Sequence, residues 1–532
     1  MREPPEGRSC ALRLSGALDT RGSGRRNNGA IQAATPISPV GIAGRAPGDA
    51  GAATGARAPT GLVRALGALG LLGVLATVFL VAAGAATRPS VYVPARHGGW
   101  PHWLAGPLEG LGVGITEGSF QTWMLIMCGS YLVVLLAARA LPLGAIAAAI
   151  VAAHVILLLG PPLLSQDVFG YLSFARLGAL HGLDPYTHAA TEVPTDPVFA
   201  FLGREATTPP TSPYGPLFTL ASYATAPLGL AGGLWALKAV AVTSSLGAVA
   251  LVARAAGSLG RSRRRAAAFV GLNPALLVLA VGGAHNDTLL LLVLALALAL
   301  TAGANPRLRA GAGALAVGVG VKLTAGLALP FLVLVSPRTR ERVGVAASAA
   351  VGLLAVGAIG LIGFGAHALG FLHAIGEQQN LVATHSVPAE TARLVGIETP
   401  AHPPNWWRHL YVAGFLGVLA VALWRTARGA DWRVAAGWAT LALLLSTAWL
   451  LPWYAIWLLP LAAVSGDRRL RAATLVFCAY AVLIHLPLAD GLLTPPTPRP
   501  APLPHVLIPG LRQRLELTGF EVLRHVQLDL RW

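Results

Sequence analysis

An all-α, polytopic membrane fold is predicted for this chain by three properties of its sequence. First, 55% of its 532 residues are hydrophobic and 11% are charged, with a mean hydropathy of +0.64. That leaves too few charges to keep a soluble surface solvated. Second, the apolar residues come in runs near the length a helix needs to cross a bilayer, about 20 residues. Inside lipid each span must satisfy its own backbone, which makes helices the structural unit. Third, the basic residues are grouped between the runs, at Arg25-Arg26, Arg261 to Arg265, Pro306 to Arg309, Pro337 to Arg342 and Asp467 to Arg471. Basic clusters of this kind stay on the cytoplasmic side. The formal charge of +17 is therefore assigned to the membrane surface, and nucleic acid is excluded as a partner.

Taken in order, residues 1–58 are rich in Gly, Ala, Pro and Arg without periodicity and read as a disordered cytoplasmic tail. The run Leu62 to Ala86 is too long and too far from the start for a secretory signal, so it is the first span. Further spans are expected at Ser119–Ala138, Leu141–Leu164, Leu234–Ala256, Ala266–Val281, Thr288–Ala304, Val343–Phe364, Leu410–Trp424, Val434–Leu451 and Ala472–Leu488. If Pro213–Leu230 crossed, Arg261 to Arg265 would be carried outside, so this segment is read as interfacial or re-entrant. Arg309–Ser336 has basic residues at both ends and is read as two half-crossings that turn near Lys322, packed inside the bundle. Trp453–Val464 is a short return from a Pro-kinked tip. The sum is about thirteen crossings in a membrane domain, residues 59–490, with the N-terminus inside and a Pro-rich tail, 491–532, outside. Cys10, Cys128 and Cys478 are far apart, without metal or redox spacing.

This topology gathers the polar residues on the outer face. Ser165 is an N-cap candidate, and Asp167 opens a helix expected to run to about His181. Free backbone N–H groups and the helix dipole keep a carboxylate ionised there. That serves a helix start and a general base alike, because a base must be ionised and reachable. The same helix carries Tyr171 and Arg176 among Phe169, Leu172, Phe174, Leu177 and Leu180, a composition suited to the headgroup region. Asp184, before Pro185, is a turn residue, and "TSPYGPLF", with Tyr214, begins the re-entrant segment. "GGAHND" places His285, Asn286 and Asp287 at a second helix start; adjacent His285 and Asp287 are weak grounds for a metal, and no metal site is assigned. The only two lysines, Lys238 and Lys322, both lie within apolar runs, where a charge is a functional candidate by default. Trp406-Trp407 and the "WLLPWYAIW" tip, with Trp453 and Tyr454, suit an interface belt or a sugar face.

In their order, "SQDVFGY", "GLDPY", "SPYGPLF", "NPALLVLAVGGAHND", "VKLTAG" and "LPWYAIW" resemble the GT-C superfamily of membrane glycosyltransferases. The nearest likeness is to the actinobacterial polyprenyl-phosphomannose-dependent α-1,6-mannosyltransferases of the lipomannan type. The resemblance implies a GT-C-like bundle whose large first extracytoplasmic loop, 165–232, carries interfacial helices and the catalytic acid. It implies a plasma-membrane enzyme of cell-envelope biosynthesis that inverts configuration as it moves mannose from a polyprenyl-phosphate donor to a glycolipid or polysaccharide acceptor. By the same resemblance Asp167 acts on the acceptor hydroxyl, and Asp287 positions the acceptor or shares the work. Lys322, Arg176 and Lys238 are the cations available to the donor phosphate. Tyr171, Tyr214, His285, Asn286, Trp453 and Tyr454 are expected to contact substrate. Gln166 stands where the family usually has a basic residue. Membrane lipids surround the bundle, no cofactor is named, and a divalent metal is unsupported. Alternatives are another polyprenyl-phosphate sugar as donor, or a lipid or solute transporter. The chain shows no inverted repeat, and its acids gather at one face, which disfavours transport.

Overall fold

The computed structural model describes residues 60–486, except 88, 90, 91, 94–98, 203–210, 398–402 and 485. The expected tails at 1–58 and 491–532 lie outside the described residues. Among those described there is no strand. The helices are α1 (Thr60–Thr87), α2 (His102–Ala105), α3 (Glu117–Ala137), α4 (Leu143–Leu159), α5 (Asp167–His181), α6 (Pro216–Ser222), α7 (Gly229–Ser258), α8 (Arg263–Gly271), α9 (Asp287–Leu300) and α10 (Leu308–Val319). They continue with α11 (Leu329–Leu334), α12 (Thr339–Phe364), α13 (Gly370–Gln378), α14 (Val387–Leu394), α15 (Asn405–Ala427), α16 (Trp432–Ser446), α17 (Leu458–Val464) and α18 (Arg468–Leu483).

Five described helical segments are long and apolar enough to cross a membrane: Gly61–Thr87, Glu117–Ala137, Pro216–Ser258, Thr339–His367 and Asn405–Ala427. The expected span Ala266–Val281 is not straight. α8 and the π-helical Ala275–Val281 meet at a 45° bend and count as a sixth span only together. The cause is Pro274, which cannot donate to the helix ladder. Asn273 repairs the break, its Oδ1 accepting from the Ala275 N–H at 3.0 Å and its Nδ2 donating to the Tyr131 hydroxyl at 3.2 Å.

The segment from Pro216 to Ser258 totals 43 residues. As one straight helix it would be about 65 Å long, twice a bilayer core. It is divided by the 3-10 stretch Tyr223–Leu228 and by Gly229, whose φ of 70° only glycine adopts without strain. Where half-crossings were expected around Lys322 there are two short apolar arms, α10 and Leu323–Leu334, joined by Lys322 in extended conformation. The Pro-kinked return is likewise short, the 3-10 helix Pro452–Trp457 followed by α17.

Helices in lipid associate by close packing of small residues and by hydrogen bonds, because lipid tails are as apolar as leucine. α1 lies on α3 through Gly70 and Gly73, where a Cβ would sit 2.9 Å from the Ser130 carbonyl oxygen and 2.2 Å from Ser130 Oγ. Several buried polar groups are paired across helices. His154 joins the Ile150 carbonyl to Ser245 Oγ, both at 2.8 Å, and the Tyr131 hydroxyl donates to the Phe269 carbonyl at 2.7 Å. At the opposite extreme α12 and α15 show large apolar side chains outward, among them Leu354, Leu361, Ile362, Leu410, Leu416 and Val421. A soluble protein does not expose a continuous face of that kind; a bilayer covers it.

Candidate active site

Two acidic residues each occupy the first position of a helix, Asp167 on α5 and Asp287 on α9. The turns that deliver them are strained in the same way. Leu164 and Ala284 are the two non-glycine residues with positive φ among those described, at 62° and 56°. Each such conformation costs about 1–3 kcal/mol and is held by its surroundings. Here the Leu163 N–H donates to the Gly282 carbonyl at 2.9 Å, which ties the two turns together.

Asp167 lies at one end of the cluster. Its backbone N–H donates to Ser165 Oγ, and the Ser165 hydroxyl donates to Asp167 Oδ1, both at 3.1 Å. Ser165 thus serves the acid itself, while Gln166 holds the N-cap position without a capping side chain. His285 Nδ1 is 3.1 Å from Asp167 Oδ2, and the Tyr171 hydroxyl reaches that oxygen at 3.5 Å and Asn286 Oδ1 at 3.4 Å. Burial opposes the charge on Asp167. The His285 imidazole, the Lys322 ammonium and the Ser165 hydroxyl outweigh burial and hold the carboxyl below the usual carboxylate range.

Asp287 lies at the other end. Lys322 Nζ donates to both of its oxygens, at 2.8 and 2.9 Å, and the Trp457 indole N–H donates to Oδ1 at 2.7 Å. Lys322 also lies 4.7 Å from the Tyr454 ring centroid and 5.4 Å from that of Trp457, and these two rings stack on each other at 4.4 Å. An ammonium between aromatic faces and a carboxylate is well compensated away from water. The two ends differ in access: the side chains of Asp167 and Lys322 are 12% and 14% exposed, whereas Asp287 is 1% exposed.

The motifs that were read separately meet here. "SPYGPLF" lies along the Lys322 turn, with the Gly215 N–H donating to Val321 and the Leu217 N–H to Gly320, at 3.2 and 2.8 Å. The Tyr186 hydroxyl of "GLDPY" donates to the Tyr214 carbonyl at 2.8 Å, and the Tyr214 ring meets Tyr171 edge-on at 5.0 Å. The 3-10 helix Pro452–Trp457 reaches Asp287 and the histidine that contacts Asp167. Trp453 stacks on His285 with centroids 3.7 Å apart, and Trp457 bonds to Asp287.

Eight of the expected site residues therefore form one contiguous cluster: Asp167, Tyr171, His285, Asn286, Asp287, Lys322, Trp453 and Tyr454; Tyr214 borders it. Two are placed elsewhere. Arg176 Nε donates to both Asp196 oxygens at 2.8 and 3.1 Å, and His181 approaches the same carboxylate at 2.7 Å, so Arg176 staples the segment around Asp196 to α5. Lys238 is buried, its Nζ on the Leu157 carbonyl at 2.9 Å and 5.5 Å from the Trp235 ring. In the aromatic tip His285 covers a face of Trp453 and Trp457 covers a face of Tyr454. Trp457 is the residue that sequence reasoning passed over; its spacing of four from Trp453 was the available signal. No group of three or more His, Cys, Asp or Glu side chains among the described residues is arranged to hold a metal ion.

The fold and site define a class: a polytopic, all-helical membrane protein whose two helix-start carboxylates and one lysine meet in a single, nearly closed polar cluster. Family comparison makes this specific. Residues 64–338 match the family model described as alpha-(1->6)-mannopyranosyltransferase, N-terminal domain, and residues 404–500 match the MptB C-terminal domain. The chain belongs to this alpha-(1->6)-mannopyranosyltransferase family and is a glycosyltransferase. It is 28% identical over 363 residues to alpha-(1->6)-mannopyranosyltransferase A of Mycobacterium tuberculosis (strain ATCC 25618 / H37Rv), an overlap of 63% of this chain and 68% of that protein. No solved structure matches the chain.

Proposed function

We propose that the protein transfers a mannosyl group from a polyprenyl-phosphate donor to a hydroxyl of a glycan or glycolipid acceptor, on the extracytoplasmic face of the plasma membrane. The product linkage is α-1,6, and the reaction inverts the anomeric centre. Asp167 is the base. It accepts the proton of the acceptor hydroxyl as that oxygen forms its bond to the anomeric carbon. The bond from that carbon to the phosphate oxygen breaks in the same displacement, its electron pair leaving on the polyprenyl phosphate. A β-phosphomannose thereby becomes an α-mannoside. The leaving group needs a cation and no acid, and Lys322 supplies the charge.

The observation that carries this reading is that one cluster holds a partly exposed carboxylate, Asp167, and a partly exposed ammonium, Lys322. A base must be charged and reachable, and a phosphate needs positive charge where its own charge develops. Asp287 is charged but not reachable, since Lys322 and Trp457 occupy its oxygens and it is shut from solvent. Its role is to hold Lys322. Arg176 and Lys238 drop out of the donor-phosphate set because each is held on a partner outside this cluster. The topology that supports the reading is the expected one, about thirteen crossings with every basic cluster cytoplasmic; the helices too short to span alone pair as half-crossings inside the bundle.

The test is transfer from radiolabelled polyprenyl-phosphomannose by purified enzyme, with linkage analysis of the product. Loss of a positioned base costs about 10²–10⁴-fold, so Asp167→Asn is expected to lose transfer on that scale while still inserting in the membrane. Near wild-type transfer by Asp167→Asn would remove Asp167 from the reaction.

A further inference from the structure

We infer that His285 is a positioning residue: it grips Asp167 from behind and fixes the direction in which that carboxylate faces the acceptor. The inference deepens the proposed role of Asp167 and rests on it. His285 was expected to touch substrate, but its side chain is completely buried and the Trp453 ring lies against it at 3.7 Å, with 19° between the planes. It acts through its neighbour.

The geometry leaves the imidazole one arrangement. An ionised carboxylate only accepts hydrogen bonds, so Nδ1, 3.1 Å from Asp167 Oδ2, carries the hydrogen and donates it. Nε2 is buried without a partner among the described residues, so Nδ1 makes the ring's one hydrogen bond. The ring cannot swing away. Trp453 covers one face, and Gly283 approaches so closely that a Cβ there would lie 2.5 Å from Nε2. The main chain is pinned as well, with the His285 N–H on the Ala280 carbonyl at 3.0 Å and the Thr288 hydroxyl donating to the His285 carbonyl at 2.9 Å. Strain at Ala284, φ 56°, is the cost of turning the ring toward α5.

The other groups around Asp167 are Ser165 and Tyr171 from its own segment and Lys322 from across the cluster, with Asp287 beyond Lys322. Ser165 takes Oδ1 and leaves that oxygen with lone pairs to spare. On Oδ2 the His285 contact at 3.1 Å is closer than that of the Tyr171 hydroxyl at 3.5 Å, so His285 sets the plane of the carboxylate. A misplacement of about 1 Å at a reacting group costs about 10²-fold in rate.

The test compares Asp167→Asn, His285→Phe and His285→Asn in purified full-length enzyme, using polyprenyl-phosphomannose as donor. His285→Phe keeps a ring for Trp453 and removes the donor. It is expected to lower kcat by about 10²-fold, with the donor KM within about twofold. Because His285 favours the ionised form of Asp167, its loss also moves the acid limb of kcat/KM to higher pH. His285→Asn places an amide N–H near the Nδ1 position and is expected to recover about tenfold of the rate, the worth of one hydrogen bond. Wild-type kcat and acid limb in His285→Phe overturn the inference. So does a raised KM with unchanged kcat, which would make His285 a substrate contact. Should His285→Phe fail to accumulate, Gly283→Ala, whose Cβ crowds Nε2, is read against the same criteria. Activity in Asp167→Asn is a separate failure, that of the base itself.

Discussion

Asp287 and Lys322 form a largely buried ion pair, the carboxylate shut from water and the ammonium only partly exposed, and that fixes what their substitution does. Lys322→Met leaves the Asp287 carboxylate with the Trp457 N–H as its remaining side-chain donor. Stranding one member of a buried pair costs about 3–5 kcal/mol. Thermal unfolding in detergent is therefore expected to show a large loss for Lys322→Met. Lys322→Met with Asp287→Leu removes both charges and is expected to recover most of that loss, without recovering transfer. Equal stability of the single and double variants would show that the pair is solvated after all. Asp167, Asp287 and Lys322 were legible in the sequence because each breaks a local rule, an acid at the end of an apolar run or a lysine within one. The partners of Arg176 and Lys238 were not. Asp196 is 20 residues from Arg176, and the Leu157 carbonyl is 81 from Lys238. Nothing in a residue type reports which distant group a cation will meet. Nor could composition tell that Trp453 and Tyr454 would spend a face on His285 and Trp457.

The elements were legible wherever hydrophobic runs were long. α5 ends at His181 with Gly182 in the left-handed conformation, φ 66°, as its Gly-Leu-Asp-Pro sequence predicts. The misreading was of straightness. Pro274 bends the span Ala266–Val281, and that proline was available as a signal. Contact between "SPYGPLF" and the Lys322 turn was not available, since it joins segments over a hundred residues apart. Gly215 is the point of closest approach: a Cβ there would lie 2.4 Å from the Gly320 carbonyl oxygen, backbone that cannot yield without moving the turn. Gly215→Ala is expected to shift Lys322 and lower transfer by about 10²-fold, at unchanged expression. Full activity in a transfer assay would show that the turn adjusts at no cost.

For the molecule as a whole, the proposed orientation can be read from outside the cell. Arg340, at the start of α12, is exposed and belongs to a cytoplasmic cluster in that orientation; Gln379, just after α13, is exposed and belongs to the outer loop. In a cysteine-free background, Arg340→Cys is expected to react with an impermeant maleimide only in opened membranes, and Gln379→Cys in intact cells. The reverse pattern would invert the topology and place the acids inside. α12 and α15, whose most apolar windows are 22% and 11% buried, are the helices most in contact with lipid. Their exposed leucines say little about chemistry, which is why a sequence dominated by apolar residues still disclosed its site through a handful of polar ones.

The brace formed by Pro452–Trp457 has a consequence for biosynthesis. Asp167, Asp287 and Lys322 are all made long before Trp453 and Trp457 leave the ribosome. Until that last segment enters the bilayer, the ring behind Asp167 lacks its stacking partner and Asp287 lacks its indole donor. The nascent chain thus carries all three charged site residues before the segment that braces them has been made.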